Sequence, residues 1–499
     1  MGAIIKNLLQ GTLLESNPCA EKRENDPIII DGFHKFNGKY IPASFSLSHS
    51  DLSKHILTIG SIGSGKTNLI NIMVDQLKSR MTEKDVMIIF DYKGDYYHEF
   101  YESERKDEIL DTSHDLRSKS SIWNVFMDIL ADGTETEDIK ANCDEIATSF
   151  FSDMKNVNTP FFTLAPIQFI SRLMYSITLK CLRKNNKNNI INIPDDLYHP
   201  MDDTSPLLYL PTNAYLVSVI ERFSKLTIKE MKEVIDQEFP EVKPSFKLSN
   251  PDSPSTFGSV FGEVALMLTR KFSNVFGTYI TDEMRFSIRG FVKNRGGRTL
   301  FIERDNMNSN IYESNYCLLI DMAIKEVLGD RHYEVDKVAG KDHGNVYLVL
   351  DELANLPNLT LLSEALHAGR SKGLKIIAGL QNKPQLDDKY SKNESASESK
   401  SMLSGFSSWF TFYLANDEET INYVVNTSGD NIWEYKYVSG RTLKSEIKEG
   451  HTVESWDIKQ LNVGESIVSL CPTVNIDENN NKRFPFIFLP KLYVSRKER

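Results

Sequence analysis

The apolar positions of this chain follow two alternating patterns. Short runs rich in β-branched residues, each ending in a polar turn, predict buried strands at HILTI (55–59), DVMIIFD (85–91), RTLFIE (298–303) and NVYLVL (345–350). LKIIAGLQ (374–381), WFTFYLAN (409–416) and ESIVSLCP (465–472) continue the series. Between the first two runs, NLINIMVDQLKS sets Leu69, Ile70, Met73 and Leu77 on one helical face. Strand, helix, strand in this order predicts a mostly parallel α/β sheet, whose functional groups gather at the carboxyl ends of its strands.

From about 131 to 285 the helical period takes over, as in DIKANCDEIATSFFSDM and NAYLVSVIERFSKLTIKEMKEVIDQEF. FFTLAPIQFISRLMYSITL (161–179) has the length of a membrane span, but Gln168 and Arg172 interrupt it, and it reads as a core helix introduced by Pro160. DDKYSKNESASESKSM (387–402) is polar and low in complexity, and reads as a mobile surface loop. The chain therefore divides into 1–130, an N-terminal segment with the first part of an α/β domain; 131–285, an inserted all-α domain; and 286–499, the second part of the α/β domain with a tail.

Composition narrows the function. With 499 residues, 40% of them hydrophobic and 25% charged, the chain has enough apolar content for two or three cores. A net charge of −11 excludes a surface that is basic throughout, so any polyanion must meet a local basic face or channel. The obvious basic clusters, RKNNKNN (183–189) and RKER (496–499), read as a solvated loop and tail. The five cysteines and ten histidines show neither a C-x-x-C pair nor zinc-ligand spacing, which fits a reducing compartment. The first residues carry no secretory signal pattern and the chain has no span-like N-terminal helix, which predicts a cytoplasmic protein.

The chemistry concentrates at two places. After the first strand, Gly60-Ser61-Ile62-Gly63-Ser64-Gly65-Lys66-Thr67 matches the G-x-x-x-x-G-K-[ST] phosphate loop. Its glycines let backbone N–H groups turn toward phosphates, Lys66 adds a point charge, and the Thr67 hydroxyl suits Mg²⁺. The strand at 345–350 ends in Asp351 and Glu352, and two carboxylates there require a cation partner. Asp351 is read as the second Mg²⁺ ligand and Glu352 as the base that orients and deprotonates water, with ATP as the nucleotide. Lys66 and Asp351 lie too far apart in sequence for a minimal P-loop domain, which is why the helical stretch is read as an insertion.

Beyond the acids the sequence runs LDELANLPNLTLLSEALHAGRSKGLKIIAGLQNKPQL (350–386). Together with HILTIGSIGSGKT, DYKGD and SIWNVF, this stretch resembles the type IV secretion coupling proteins, ATPases that pump DNA in bacterial conjugation. The resemblance implies a RecA-like P-loop ATPase core with an inserted all-α domain, assembled as a homo-hexamer and acting on single- or double-stranded DNA. It also implies a γ-phosphate-sensing role for Gln381, and for Arg370 that of an arginine reaching the nucleotide of the next subunit. Asp91, Lys93 and Asp95 occupy the family's D-x-K-G-[DE] turn, but Tyr92 replaces its proline and the role stays open. His367 is given a packing role.

Family members usually begin with transmembrane helices, so a separate membrane anchor protein is expected to hold this chain at the inner face of the cell membrane if export is its task. Two other readings share the motifs: a DNA translocase in genome defence, and an ATP-switched recruitment module that docks a relaxase or effector protein.

Overall fold

The computed structural model describes residues 5–15, 22–36, 38–111, 120–151, 160–187, 198–200, 209–242, 254–272, 276–277, 285–304, 309–329, 344–356, 359–390, 397–415, 417–439, 442–470 and 485–498. Its main strands, leaving aside two short two-stranded pairs, are in chain order β1 (Ile5–Gly11), β2 (Ile28–Phe36), β3 (Lys39–Leu47), β4 (Ile56–Ile59), β5 (Val86–Asp91), β6 (Glu108–Asp111) and β7 (Arg298–Glu303). They continue with β8 (Val346–Leu350), β9 (Leu374–Leu380), β10 (Ser408–Phe412), β11 (Asp430–Ser439), β12 (Thr442–His451), β13 (Ser466–Ser469) and β14 (Phe486–Pro490).

Eleven of these strands form one sheet in the order β3-β2-β14-β13-β10-β4-β9-β8-β5-β7-β6. The seven from β10 to β6 are parallel, while β13, β14, β2 and β3 extend the sheet antiparallel. β4, β5, β8 and β9 are buried at every position, as expected of parallel strands covered on both faces. Alternate residues therefore feed two cores: Ile88, Leu348 and Ile376 on one face, and Ile89, Val349 and Ile377 on the other.

Helix α1 (Lys66–Arg80) follows β4, and its face of Leu69, Ile70, Met73 and Leu77 is buried against the second core. Helix α2 (Asp95–Phe100) follows β5. Between β6 and β7 the described chain is mostly helical: α3 (Thr136–Phe150), α4 (Pro160–Lys187), α5 (Asn213–Ser224), α6 (Ile228–Glu238) and α7 (Pro254–Lys271). In α4, Phe169, Ile170, Leu173, Met174 and Ile177 are buried, so the span-like segment is a core helix; among the described residues no helix is long and apolar enough to cross a membrane. These helices and one face of the sheet share a single continuous apolar cluster. Trp123 and Phe272 stack within it, with ring centroids 6.2 Å apart. Helix α8 (Ser309–Leu328), after β7, joins the same cluster.

Two expectations change. The polar stretch at 387–402 is not an open loop throughout: α10 (Lys383–Tyr390) and α11 (Ser397–Gly405) occupy its two ends, while 391–396 lie outside the described residues. Ser399, Met402 and Leu403 are buried there, so a few apolar and small residues at helical spacing anchor a stretch whose composition looks solvated. The C-terminal basic cluster is likewise no free tail. Arg496 Nε donates to Asp75 of α1 at 2.5 Å, its guanidinium also pairs with Glu102, and its backbone N–H donates to Glu99 of α2 at 2.5 Å. Helix α4 ends at Lys187, within the other basic cluster, and 188–189 lie outside the described residues. Cys143, Cys181 and Cys317 are buried; Cys19 and Cys471 lie outside the described residues.

Candidate functional site: a phosphate loop facing two buried acids

Strand β4 delivers the chain into the Gly60–Thr67 loop, and neighbouring strand ends pin that loop from both sides. Gly60 N–H donates to Leu380 O of β9 at 3.2 Å, and Ser61 N–H donates to Tyr413 O beyond β10 at 2.9 Å. Ser61 Oγ accepts from Ala415 N–H at 2.8 Å, and Ser64 O accepts from Gly464 N–H at 2.9 Å. Gly65 holds φ +113°, where a side chain is strained, and a Cβ there would meet Gly464 Cα at 2.9 Å. The loop is therefore a fixed cradle, with Ile62 at its exposed tip, 82% accessible. Helix α1 begins at Lys66, so its first turn aims unpaired N–H groups into the cradle.

Lys66 is buried and turns its Nζ back onto the loop, donating to Gly60 O at 2.6 Å and Ser61 O at 3.1 Å. Burial lowers its pKa, opposed by the charges of Glu352 and Asp351. Those acids follow the last residue of β8. β9 lies between β4 and β8, so Gln381, at its end, stands between the loop and the acids. Gln381 Nε2 donates to Glu352 Oε2 at 2.7 Å. Gly379 of β9 lets the strands close, since a Cβ there would meet Asp351 O at 1.9 Å.

Asp351 and Glu352 are each only 8% accessible, and burial raises the pKa of both. Lys93 and then Lys66 draw Asp351 back down; for Glu352 the Gln381 hydrogen bond and then Lys66 do so. Glu352 Oε1 and Ser64 Oγ are buried without hydrogen-bond partners. Unsatisfied polar atoms of this kind beside a cationic cradle fit a magnesium–triphosphate. Among the described residues no group of three or more His, Cys, Asp and Glu suits a metal. Nucleotide-bound Mg²⁺ needs no such cage, because one or two protein oxygens and the phosphates suffice; the half-buried Thr67 and the buried Asp351 are the side chains available here.

Sequence reasoning left Lys93 without a role, yet its charge acts on Asp351, Glu352 and Lys66 together. The signal lay in the register: β5 runs beside β8 with Phe90 opposite Leu350, which brings the Asp91 turn level with the acids. Asp91 braces that turn by accepting from Gly94 N–H at 2.9 Å and Tyr97 N–H at 2.8 Å, while burial pushes its pKa up to about 6. Lys93 is exposed at the turn's tip, and buried Tyr96 abuts Asp351 from the same segment.

Arg370 is not part of this group. It lies on the short turn Gly369–Lys372 that precedes β9, whereas Gln381 follows β9. A seven-residue strand separates the two by roughly 20 Å at about 3.3 Å per residue. Arg370 is exposed, and its side chain makes no hydrogen bond or ion pair with the described chain. His367, at the end of helix α9 (Leu362–Ala368), is exposed as well.

This arrangement has relatives. A solved structure of the bacterial conjugative coupling protein TrwBdeltaN70, unbound, is similar over 99% of this chain and 95% of that one, at 18% identity and TM-score 0.67. The plasmid coupling protein TrwB in complex with the ATP analogue ADPNP matches over 99% and 96% at 17% identity and TM-score 0.66. The same protein with ADP and Mg²⁺ matches over 91% and 88% at 18% identity and TM-score 0.60. No curated protein sequence matches. At these identities the solved structures establish the fold, a RecA-like P-loop ATPase core with an all-α domain. The model of the type IV secretion-system coupling protein DNA-binding domain matches residues 39–238 and 212–468. By that match over most of its length, the chain belongs to the type IV secretion coupling protein family.

Proposed function

We propose that this chain is the ATP-driven motor of a conjugation or type IV secretion-like system, hydrolysing Mg·ATP at the subunit interfaces of a ring to move DNA. The observation that carries the reading is the convergence of Lys66, Gln381 and Glu352 at the carboxyl ends of β4, β9 and β8, with Arg370 at the far end of β9. The TrwB structures with ADPNP and with ADP and Mg²⁺ support the choice of nucleotide and metal.

In this reading the loop N–H groups and Lys66 hold the β- and γ-phosphates, and Thr67 and Asp351 hold Mg²⁺, which supplies charge neutralisation at the phosphates. Glu352 accepts the proton of the attacking water, and Gln381 fixes the orientation of its carboxylate. Arg370 cannot reach its own chain's loop, so it serves the site of the next subunit, and a closed ring of six copies gives every site one. The division into an ATPase core at about 30–130 and 286–480, flanked by an N-terminal segment and a C-terminal tail, and a helical insertion at 131–285 belongs to the same proposal. So does a place in the cytoplasm, held at the membrane by a separate anchor protein, with a relaxase or effector as cargo.

The test is an ATPase titration of the purified chain with single- and double-stranded DNA, with oligomer size followed in parallel. A motor shows hydrolysis stimulated several-fold by DNA and abolished by Lys66→Ala. Slow turnover that ignores DNA and responds only to a protein partner would replace the motor with a recruitment switch.

A further inference from the structure

Strands β1, β11 and β12 pair only with one another, forming a three-stranded ribbon apart from the main sheet. The register Lys6↔Tyr435↔Glu446, with Trp433↔Lys448 and Tyr437↔Lys444, sets side chains of opposite kinds on its two faces. One face carries Trp433, Tyr435 and Tyr437 in line along the central strand, flanked by Lys6, Lys444 and Lys448. Its sole acid in these strands is Glu446, 3.5 Å from Lys448, so two positive charges remain uncompensated on a chain whose net charge is −11. Lys6 Nζ lies 3.7 Å from the Trp433 ring centroid and 5.6 Å from that of Tyr435, and Lys448 Nζ lies 5.5 Å from Tyr435. Every residue of β12 from Thr442 to Glu449 is exposed.

We propose that this face binds single-stranded DNA, with bases stacked on the three rings and phosphates paired with the lysines. The inference rests on the DNA-handling reading above and adds a contact site on a sheet separate from the one that carries the phosphate loop. Rings two residues apart on a strand are separated by about 6.8 Å, twice the 3.4 Å between stacked bases of one duplex strand. The ladder therefore matches a strand whose bases are splayed apart, and a duplex offers it no base faces. Aromatic platforms edged by flexible cations are the chemistry that holds such a strand without sequence preference. The chain leaves the ribbon at His451 and reaches Gly464, whose N–H holds Ser64 of the phosphate loop, so ribbon and nucleotide site lie on one continuous segment.

The test is fluorescence anisotropy of the full-length chain with a labelled oligo-dT and with a duplex of equal length, over a salt series. Trp433→Ala should weaken oligo-dT binding about 5- to 150-fold, and Trp433→Phe should retain most of the affinity. Lys6→Gln with Lys444→Gln, both exposed and remote from any core, should lower the slope of log K against log salt by about 1.4. Mg·ATP affinity should not change in any of these variants. The inference is overturned if the lysine pair leaves oligo-dT affinity and slope intact, or if duplex and oligo-dT weaken equally. Loss of binding to phosphatidylserine vesicles with oligo-dT binding preserved would also overturn it, marking a membrane surface instead. If the chain hydrolyses no ATP but oligo-dT binding still depends on Trp433, the motor reading falls and the ribbon site stands. DNA-stimulated hydrolysis and oligo-dT binding that are both indifferent to Trp433 give the reverse.

Discussion

Gln381 binds one carboxylate oxygen of Glu352 at 2.7 Å and leaves the other buried and unpaired. In the proposed mechanism the free oxygen takes the proton of the attacking water while the bound one sets its direction. Glu352→Gln should therefore lower kcat for ATP by roughly 10² to 10⁴ while nucleotide binding persists. Gln381→Ala, which only loosens the base, should cost roughly 10- to 100-fold in kcat with KM unchanged. A nucleotide-binding assay beside steady-state kinetics checks both, and an unaltered kcat in Glu352→Gln would remove it from the base's role.

Arg370→Ala should reduce hydrolysis by roughly 10³ or more in assembled rings. It lies at the opposite end of β9 from Gln381, and the proposed action between subunits rests on that distance. Equal mixing of Arg370→Ala and Lys66→Ala chains should restore part of the activity, because some interfaces then pair an intact loop with an intact arginine. Mixed rings verified by mass spectrometry that remain inactive would argue against action in trans.

Lys93 lowers the pKa of both acids from an exposed position. Lys93→Ala should shift the acid limb of the kcat/KM profile to higher pH, since the carboxylates lose a cation that favours their charged form. The shift should shrink as salt rises, because an exposed charge is screened. A profile that moves equally at low and high ionic strength would point to a structural effect of the substitution.

His55, at the entry to β4, accepts the Ile376 N–H on Nδ1 at 3.1 Å, and burial pushes its pKa down to about 4 from 6.5. The folded state thus binds its proton less readily than the unfolded chain. Stability from this group is present above pH 6.5 and is lost as pH falls toward 4, to a limit of about 3 kcal/mol. His55→Asn, which tolerates the positive φ of 59° at this position, should flatten urea-unfolding stability between pH 6.5 and 4. An unchanged slope would assign the acid sensitivity to other groups.

The parallel strands β4, β5 and β7 to β9 were legible because full burial on both faces leaves β-branched runs with polar ends. Of the antiparallel extension, β13 stood out as ESIVSLCP, whereas β2, β3 and β14 were harder to read. β2 alternates buried and accessible residues over Ile28–Phe36, a weaker pattern that carries no chemistry to draw attention. Strand order is a matter of long-range pairing: no local signal states that β9 lies between β4 and β8, yet that placement is what sets Gln381 against Glu352. In the site, residue types at fixed spacing revealed Lys66, Thr67, Asp351 and Glu352. Lys93 needed the register of β5 on β8 before its charge could be related to Asp351.

The last residues of the chain bear on practical work. Asn68, next to Thr67, donates to Lys491 O at 3.1 Å and accepts from Tyr493 N–H at 2.7 Å, and Tyr493 Oη donates to Glu99 at 2.9 Å. With Arg496 on Asp75, this segment laces the first three turns of the nucleotide helix to α2. A protease nick at the exposed Leu492 would part the Lys491 contact from those of Tyr493 and Arg496 and so loosen the helix that begins with Lys66.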